Sequence, residues 1–385
     1  MTKVRVLTLL ALLAILLGMT ACGEKIAPTT AATPQSYWPT EGWRTSTPEE
    51  QGMDSEMLAD MLETIEEQDY DVDSVVVVRH GYMVVDAAVY PFEPGSRHIV
   101  YSCTKSVISA LIGIAIDKGY IEGVDQPLLD FFPERTAANL DADKEAMTLE
   151  DVLTMSTGLE CRDSYLHRWR GLQQMRQSDD WVQFMLDLPM TEEPGTRFEY
   201  CNGASFLLSA IIQETTGMNA LAFANEHLFG PLGIIDVEWS SSPQGITIGW
   251  SDLHLTPHDM AKIGYLYLNE GLWDGEQVVS VEWVRASTRE HISAKTLQDG
   301  YGYQWWVDDS GIYMALGYAG QLIVVVPDKD MVVVFVSDLP ESDFFVPQEL
   351  LNDFITPAAK SSTPLPDNPD GVALLESRTE ALANP

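Results

Sequence analysis

Cations are scarce in this chain. Lys and Arg number 22 against 58 Asp and Glu, a formal net charge of −36. A surface with that balance repels phosphate backbones and anionic lipid, which counts against a nucleic-acid partner. It favours solubility and says nothing about fold. Cysteine is nearly as sparse: there are four in 385 residues, and no Cys-x-x-Cys pair to suggest zinc. No Gly-x-Ser-x-Gly elbow occurs, since "GASFL" lacks the closing glycine, and this disfavours an α/β-hydrolase. No internal repeat is visible. "HLTPH", His254 to His258, has no metal-like partner and reads as a loop entering a helix. Asp141/Asp143 and Asp328/Asp330 read as turn and surface carboxylates, not as a glycosidase pair.

Apolar residues make up 45% of the chain and aromatics 9%, the proportions of an ordinary packed protein, and the length allows one large domain or two interleaved lobes. The first residues carry an export pattern. Lys3 and Arg5 precede the apolar run "VLTLLALLAILLG", too short to span a bilayer comfortably, and small residues follow it up to Cys22. That resembles a bacterial lipoprotein signal over residues 1–21, with Cys22 as the lipid attachment site and the mature protein anchored to a membrane of the cell envelope. An uncleaved anchor or a plain secretory signal are the alternatives. Residues 22–45, rich in Thr, Ala and Pro, read as a flexible tether, and 358–385 as a loose C-terminal tail with a short helix near Val372 to Leu382.

Between them, from residue 46 to 357, helical and strand patterns segregate. "VDSVVVVRH" and "GYMVVDAAVY" read as a hairpin turning at His80-Gly81. "YGYQWWVD", "GIYMALGY", "QLIVVVPD" and "MVVVFVSD" supply strands near the other end. The pattern from Leu128 to about Ile235 is helical. Strands from both chain ends would then share one central antiparallel sheet flanked by helices. This gives an α/β lobe of about 46–127 and 236–357 with an all-α lobe of about 128–235 inserted.

The chemistry is read from "YSCTKSVISALIGIAIDKGY", Tyr101 to Tyr120. Ser102 and Lys105 are i and i+3 on one helix face, roughly 5–6 Å apart at Cβ, so the amine reaches the hydroxyl. A serine at a helix start also meets free backbone N–H groups. Apolar neighbours such as Val107 and Ile108 disfavour the ammonium form and make the lysine a usable base. A capping serine with a snorkelling lysine would read the same way, and about one Ser-x-x-Lys arises by chance in a chain of this length. The surroundings must therefore carry the weight.

"RFEYCNGASF" offers Tyr200 as a second proton carrier and Asn202 to orient Lys105 and a substrate carbonyl. A second Tyr-x-Asn, Tyr267 to Asn269, lies late in an amphipathic helix, where Tyr reads as core. "GYAGQ", Gly317 to Gln321, sits between two strands. Its glycines allow close approach of a ligand, and the Gln321 N–H can join the Ser102 N–H as an oxyanion hole; a simple tight hairpin is the plainer reading. Among Cys103, Cys161 and Cys201 one disulfide can form. Cys161 with Cys201 is preferred because Cys103 faces its own helix, and three unbonded buried thiols are the alternative.

The order "SCTK", "YCN", then a Gly-rich strand turn resembles the three motifs of the penicillin-recognising serine hydrolases. Within them it is similar to the branch of class C β-lactamases, D-alanyl-D-alanine carboxypeptidases, family VIII esterases and aminohexanoate-oligomer hydrolases. "LEDVLTMSTGL", "HLFGPLGI" and "TPHDMAKIGYLYLNEGLWDG" extend the resemblance over roughly Thr47 to Phe354. It implies a β-lactamase/transpeptidase-like fold and a serine hydrolase needing neither metal nor cofactor. Ser102 would be acylated, Lys105 and Tyr200 would act as bases, and Asn202, Tyr318, Gly320 and Gln321 would bind a small-molecule ester or amide. A penicillin-binding or cell-wall-binding sensor without turnover is the rival reading. The family usually places Lys or His where this chain has Tyr318, which carries no charge at neutral pH. That weakens β-lactams and D-alanyl peptides as substrates, unless Arg162, Arg168 or Arg170 supplies the cation.

Overall fold

Two valine-rich segments far apart in the chain, Val72–Arg79 and Met331–Ser337, lie side by side in one sheet. The computed structural model describes residues 37–384 except 164–166, 236 and 296. Its main sheet is built from β1 (Val72–Arg79), β2 (Tyr82–Ala88), β3 (Ile292–Ser293), β4 (Gly300–Tyr301), β5 (Trp306–Val307), β6 (Tyr313–Leu316), β7 (Leu322–Val326) and β8 (Met331–Ser337). The strand order is β2-β1-β8-β7-β6-β5-β4-β3 and every pairing is antiparallel. β1 and β8 pair from Ser74↔Val336 to Arg79↔Met331, so the first hairpin joins the last strand in one sheet, with β2 as its edge. Every residue of β7 and β8 is buried, so both faces of these strands are covered, and "VVVV" runs rather than alternation are the consequence.

The principal helices are α1 (Ser55–Glu67), α2 (Thr104–Asp117), α3 (Leu149–Leu153), α4 (Arg170–Gln177), α5 (Trp181–Leu186), α6 (Asn202–Thr216), α7 (Pro257–Leu268), α8 (Val281–Ser287) and α9 (Pro369–Ala383). Asp54 caps α1 by accepting the Glu56 and Met57 N–H groups. Thr148 and Asp151 form a capping box on α3, and Thr256 caps α7 with Pro257 in its first turn. α7 lies on β1, β7 and β8, and α2 packs directly on α6, which itself contacts α3, α4 and α5. The contact between α2 and α6 positions the site, because each helix begins at one of the chemically suspect motifs.

Both chain ends differ from expectation. Residues 37–45, read as part of a tether, are held on the domain by their tryptophans. The Trp38 ring lies against Tyr265 and Trp273, and the Trp43 indole N–H donates to the His258 carbonyl at 3.2 Å. Two indoles carry too much apolar area to stay in solvent when a Tyr265–Trp273 surface is at hand. The short helix expected in the tail is present as α9, but it is docked and not loose: it packs on α1 and buries Leu375 and Leu382, while Arg378 pairs with Glu63 and Glu66. The Pro-rich stretch that suggested looseness is confined to the connection before it. Residues 1–21, Cys22 and the remainder of the tether lie outside the described residues.

A docked α9 has a measurable consequence. Leu375→Ala should lower the unfolding free energy by about 2 kcal/mol, the lower range for a buried Leu truncation. Denaturant unfolding reads this directly; a change within about 0.5 kcal/mol, as at a surface position, would contradict the packing.

Candidate active site

The start of α2 is irregular. Tyr101–Cys103 form a short 3-10 turn before the α-helix, and Tyr101 holds φ 43°, a left-handed conformation uncommon outside glycine. Ser102 thus sits on this turn rather than in the helix proper, with its side chain aimed at Lys105. Ser102 Oγ lies 2.9 Å from Lys105 Nζ and 2.9 Å from the Tyr200 hydroxyl. Lys105 Nζ also lies 2.9 Å from Asn202 Oδ1 and 3.0 Å from the Trp250 carbonyl oxygen. Lys105 and Tyr200 thus meet Ser102, and Asn202 meets Lys105.

These distances define a directed proton chain. Lys105 is fully buried, and burial pulls its pKa from 10.5 down to about 7, against the opposing pull of the Asp163 carboxylate. A neutral amine has two N–H donors and one lone pair. Asn202 Oδ1 and the Trp250 carbonyl take the two donors, which leaves the lone pair for the Ser102 hydroxyl. Tyr200, partly buried and stacked at 16° on the Trp306 ring, has its pKa pushed well up by desolvation. It is therefore a phenol and not a tyrosinate at neutral pH, and donates its O–H to Ser102 Oγ. The ring face of Tyr200 lies 4.8 Å from Lys105 Nζ, which stabilises any ammonium that forms.

The third motif takes its place beside this group through β6 and β7. Tyr318 is about half exposed and packs edge-on to the Tyr101 ring at 5.5 Å, so it lines the approach to Ser102 from solvent. Gly320 has a structural reason for being glycine. Its φ is 89°, a conformation side chains rarely adopt, so the backbone favours glycine whether or not a ligand draws near, and a Cβ would also press on the Leu339 side chain. Gln321 is fully buried, and its side-chain amide donates to the Ser337 and Tyr318 carbonyls. Only its backbone N–H remains for an anion.

Two groups were not singled out from the sequence. Trp250 contributes a carbonyl, which no side-chain pattern announces; its indole is wedged against Trp181 and Phe206 and fixes the loop. Asp163 is 1% exposed and accepts the Asn202 N–H at 3.0 Å through Oδ2 and the Leu172 N–H through Oδ1. Asp163 thereby ties α6 to α4, and it is the carboxylate felt by Lys105. Burial raises its own pKa, opposed by the same two N–H groups and by Asn202 and Lys105. Cys161 and Cys201 form the disulfide that was the preferred pairing, with Cα atoms 5.8 Å apart, and Cys103 is the buried free thiol. The bond clamps Asp163 beside Asn202. An acidic residue two places from a cysteine whose partner adjoins the second motif was the available signal. Tyr267 of the other Tyr-x-Asn is core, against Trp305, as read.

The fold has counterparts among known proteins. Residues 50–355 match the Beta-lactamase family, and the chain belongs to it. It is a serine hydrolase by class, with the β-lactamase/transpeptidase-like fold. A curated relative, the 6-aminohexanoate-dimer hydrolase of Paenarthrobacter ureafaciens, is 25% identical over 323 residues, covering 77% of this chain and 81% of the relative. A family VIII carboxylesterase of known structure superposes with a TM-score of 0.60 at 13% identity, covering 88% of this chain and 98% of that one. A penicillin-binding protein homologue from Caulobacter crescentus gives 0.59 at 17% identity, with 84% and 97% covered.

Because the lone pair of Lys105 must be free, the rate of Ser102 labelling by a fluorophosphonate probe should rise with pH through a midpoint near the Lys105 pKa of about 7. The nearby Asp163 charge favours the ammonium, so Asp163→Asn should move that midpoint to lower pH. A pH-independent labelling rate between 5 and 9 would exclude Lys105 as the base, and an unmoved midpoint in the variant would exclude the coupling.

Proposed function

We propose that this protein hydrolyses esters or amides of small carboxylic acids through an acyl-enzyme on Ser102. The observation that supports it most directly is the convergence of Lys105 Nζ and the Tyr200 hydroxyl on Ser102 Oγ, each at 2.9 Å. In the acylation step Ser102 Oγ attacks the carbonyl carbon and its proton passes to the Lys105 lone pair. The oxyanion is held by the Ser102 and Gln321 N–H groups. As the tetrahedral intermediate collapses, the Tyr200 phenol protonates the departing oxygen or nitrogen and recovers a proton from Lys105. Water then repeats the sequence on the acyl-enzyme, with Lys105 and Tyr200 again relaying protons. Asn202 holds the lysine and presents its amide to the substrate. The named relatives, an amide hydrolase and a carboxylesterase, support both bond types. The exposed Tyr318 hydroxyl supplies a hydrogen bond and no charge at that position.

The location follows the N-terminal pattern. We infer that residues 1–21 direct export and that Cys22 carries lipid, a reading that rests on the sequence.

Each half has its own test. The wild-type protein should hydrolyse a p-nitrophenyl short-chain ester, and Ser102→Ala should abolish this. Lys105→Met and Tyr200→Phe should each reduce kcat/KM by at least about 100-fold, since such groups act as a unit. Equal turnover in wild type and Ser102→Ala would end the proposal. A stable adduct without product would point instead to a sensor. For the anchor, detergent phase partition of the full chain expressed in a bacterial host should place it in the detergent phase and Cys22→Ala in the aqueous one. Indifference to the substitution would remove the lipid.

A further inference from the structure

A cavity of about 840 Å³ opens where the loop after Cys161 faces the segment that leads into Tyr200. Its size suits a small-molecule ligand. Its charge is opposite to that of the chain as a whole. Arg162, Arg168, Arg170 and Arg197 line it against two carboxylates, Glu160 and Glu199. Four of the chain's 22 cationic residues thus stand around one hollow of a molecule with a net charge of −36. Chance scatter of so few cations would not concentrate them there.

Two of the arginines are already committed. Arg162 pairs with Glu160, and Arg197 pairs with Glu192 at 3.2 Å and with Glu199 at 3.4 Å. Among the described residues Arg168 and Arg170 make no ion pair, and both are exposed. The backbone that presents them is held under constraint. Arg162, Arg168 and Trp169 all have φ between 51° and 54°, a conformation that costs on the order of 1 kcal/mol per residue and persists only where the surroundings impose it. One such constraint is plain: α4 crosses the Cys161 loop so closely that a Cβ on Gly171 would fall 1.7 Å from the Cys161 carbonyl oxygen.

None of the residues that line the cavity belongs to the proton chain, but two of them, Arg162 and Glu199, adjoin it in sequence. Glu199 directly precedes Tyr200. Arg162 lies between Cys161, bonded to Cys201, and Asp163, which accepts the Asn202 N–H. A substrate arm that left Ser102 along the Tyr200 side would come toward these two chain segments. Paired guanidinium N–H donors match a carboxylate in shape and charge, and they stay protonated at every relevant pH. At physiological ionic strength the remote acidic surface is screened beyond about 8 Å, so the local cations govern a bound anion.

We propose that this cavity is a subsite for a substrate carboxylate, held by Arg168 and Arg170, so that the preferred ester or amide carries a negatively charged end. The positive charge that Tyr318 lacks is thereby supplied by these arginines. This rests on the hydrolase reading above, and the experiment separates the two.

The test uses the full chain and two matched sets of p-nitrophenyl esters: straight-chain monoacid esters, and half-esters of diacids of the same lengths. A parallel pair of sets carries the carboxylate on the alcohol side. For at least one length, kcat/KM should be about tenfold or more higher for the charged ester than for its neutral match, the size of one charge-assisted contact. Arg168→Gln combined with Arg170→Gln should erase that preference and leave the neutral ester unchanged. No preference at any length in either set would overturn the subsite, as would a preference that survives in the double variant. Absence of turnover on every ester, charged or neutral, would overturn the hydrolase reading and the subsite with it.

Discussion

The site depends on keeping one amine out of water. A solvated lysine near neutral pH is an ammonium, which cannot take a proton from a serine. Burial of Lys105 between α2 and α6 removes the solvation that favours the charge, and the carbonyl of Trp250 and the amide oxygen of Asn202 consume its two remaining hydrogens. What is left is a lone pair with a single direction. The apolar character of α2, almost every residue of which is buried, is thus part of the chemistry as well as of the core.

Burial alone would overshoot. An amine in a fully apolar setting becomes too weak a base to draw on a hydroxyl. The carboxylate of Asp163 counters this, and two backbone N–H groups in turn keep it from holding a proton too tightly. The disulfide between Cys161 and Cys201 fixes the distance over which the correction acts. Tyr200 is tuned the other way: its phenol is held protonated, so the two proton carriers stand at opposite ends of one transfer rather than competing for it.

Much of this could be read from residues alone, and the reasons are specific. The β1 and β8 valine runs are unmistakable strands, the i, i+3 spacing of Ser102 and Lys105 fixes their contact, and Tyr200 and Asn202 sit where a turn meets a helix. Other parts have no sequence signature. The carbonyl of Trp250 is a backbone group, and its contribution comes from where a loop falls. Asp163 is one acidic residue among 58 Asp and Glu, distinguished only by burial that the fold creates. The glycine at 320 was read for ligand access, whereas its φ is enough to favour it. The ends misled because Pro, Thr and Ser were weighed above Trp38, Trp43, Leu375 and Leu382, whose burial outweighs a few turn-forming neighbours.

The pairing of β1 with β8 joins residues some 260 positions apart. On a ribosome the serine, lysine and tyrosine all emerge long before the strand that completes the sheet beneath them. Until Met331–Ser337 is available, β1 presents an unpaired valine edge, and the turn bearing Gln321 has no neighbour to hold it. A nascent chain therefore carries a nucleophile it cannot yet use, and its exposed edge must be shielded until synthesis ends.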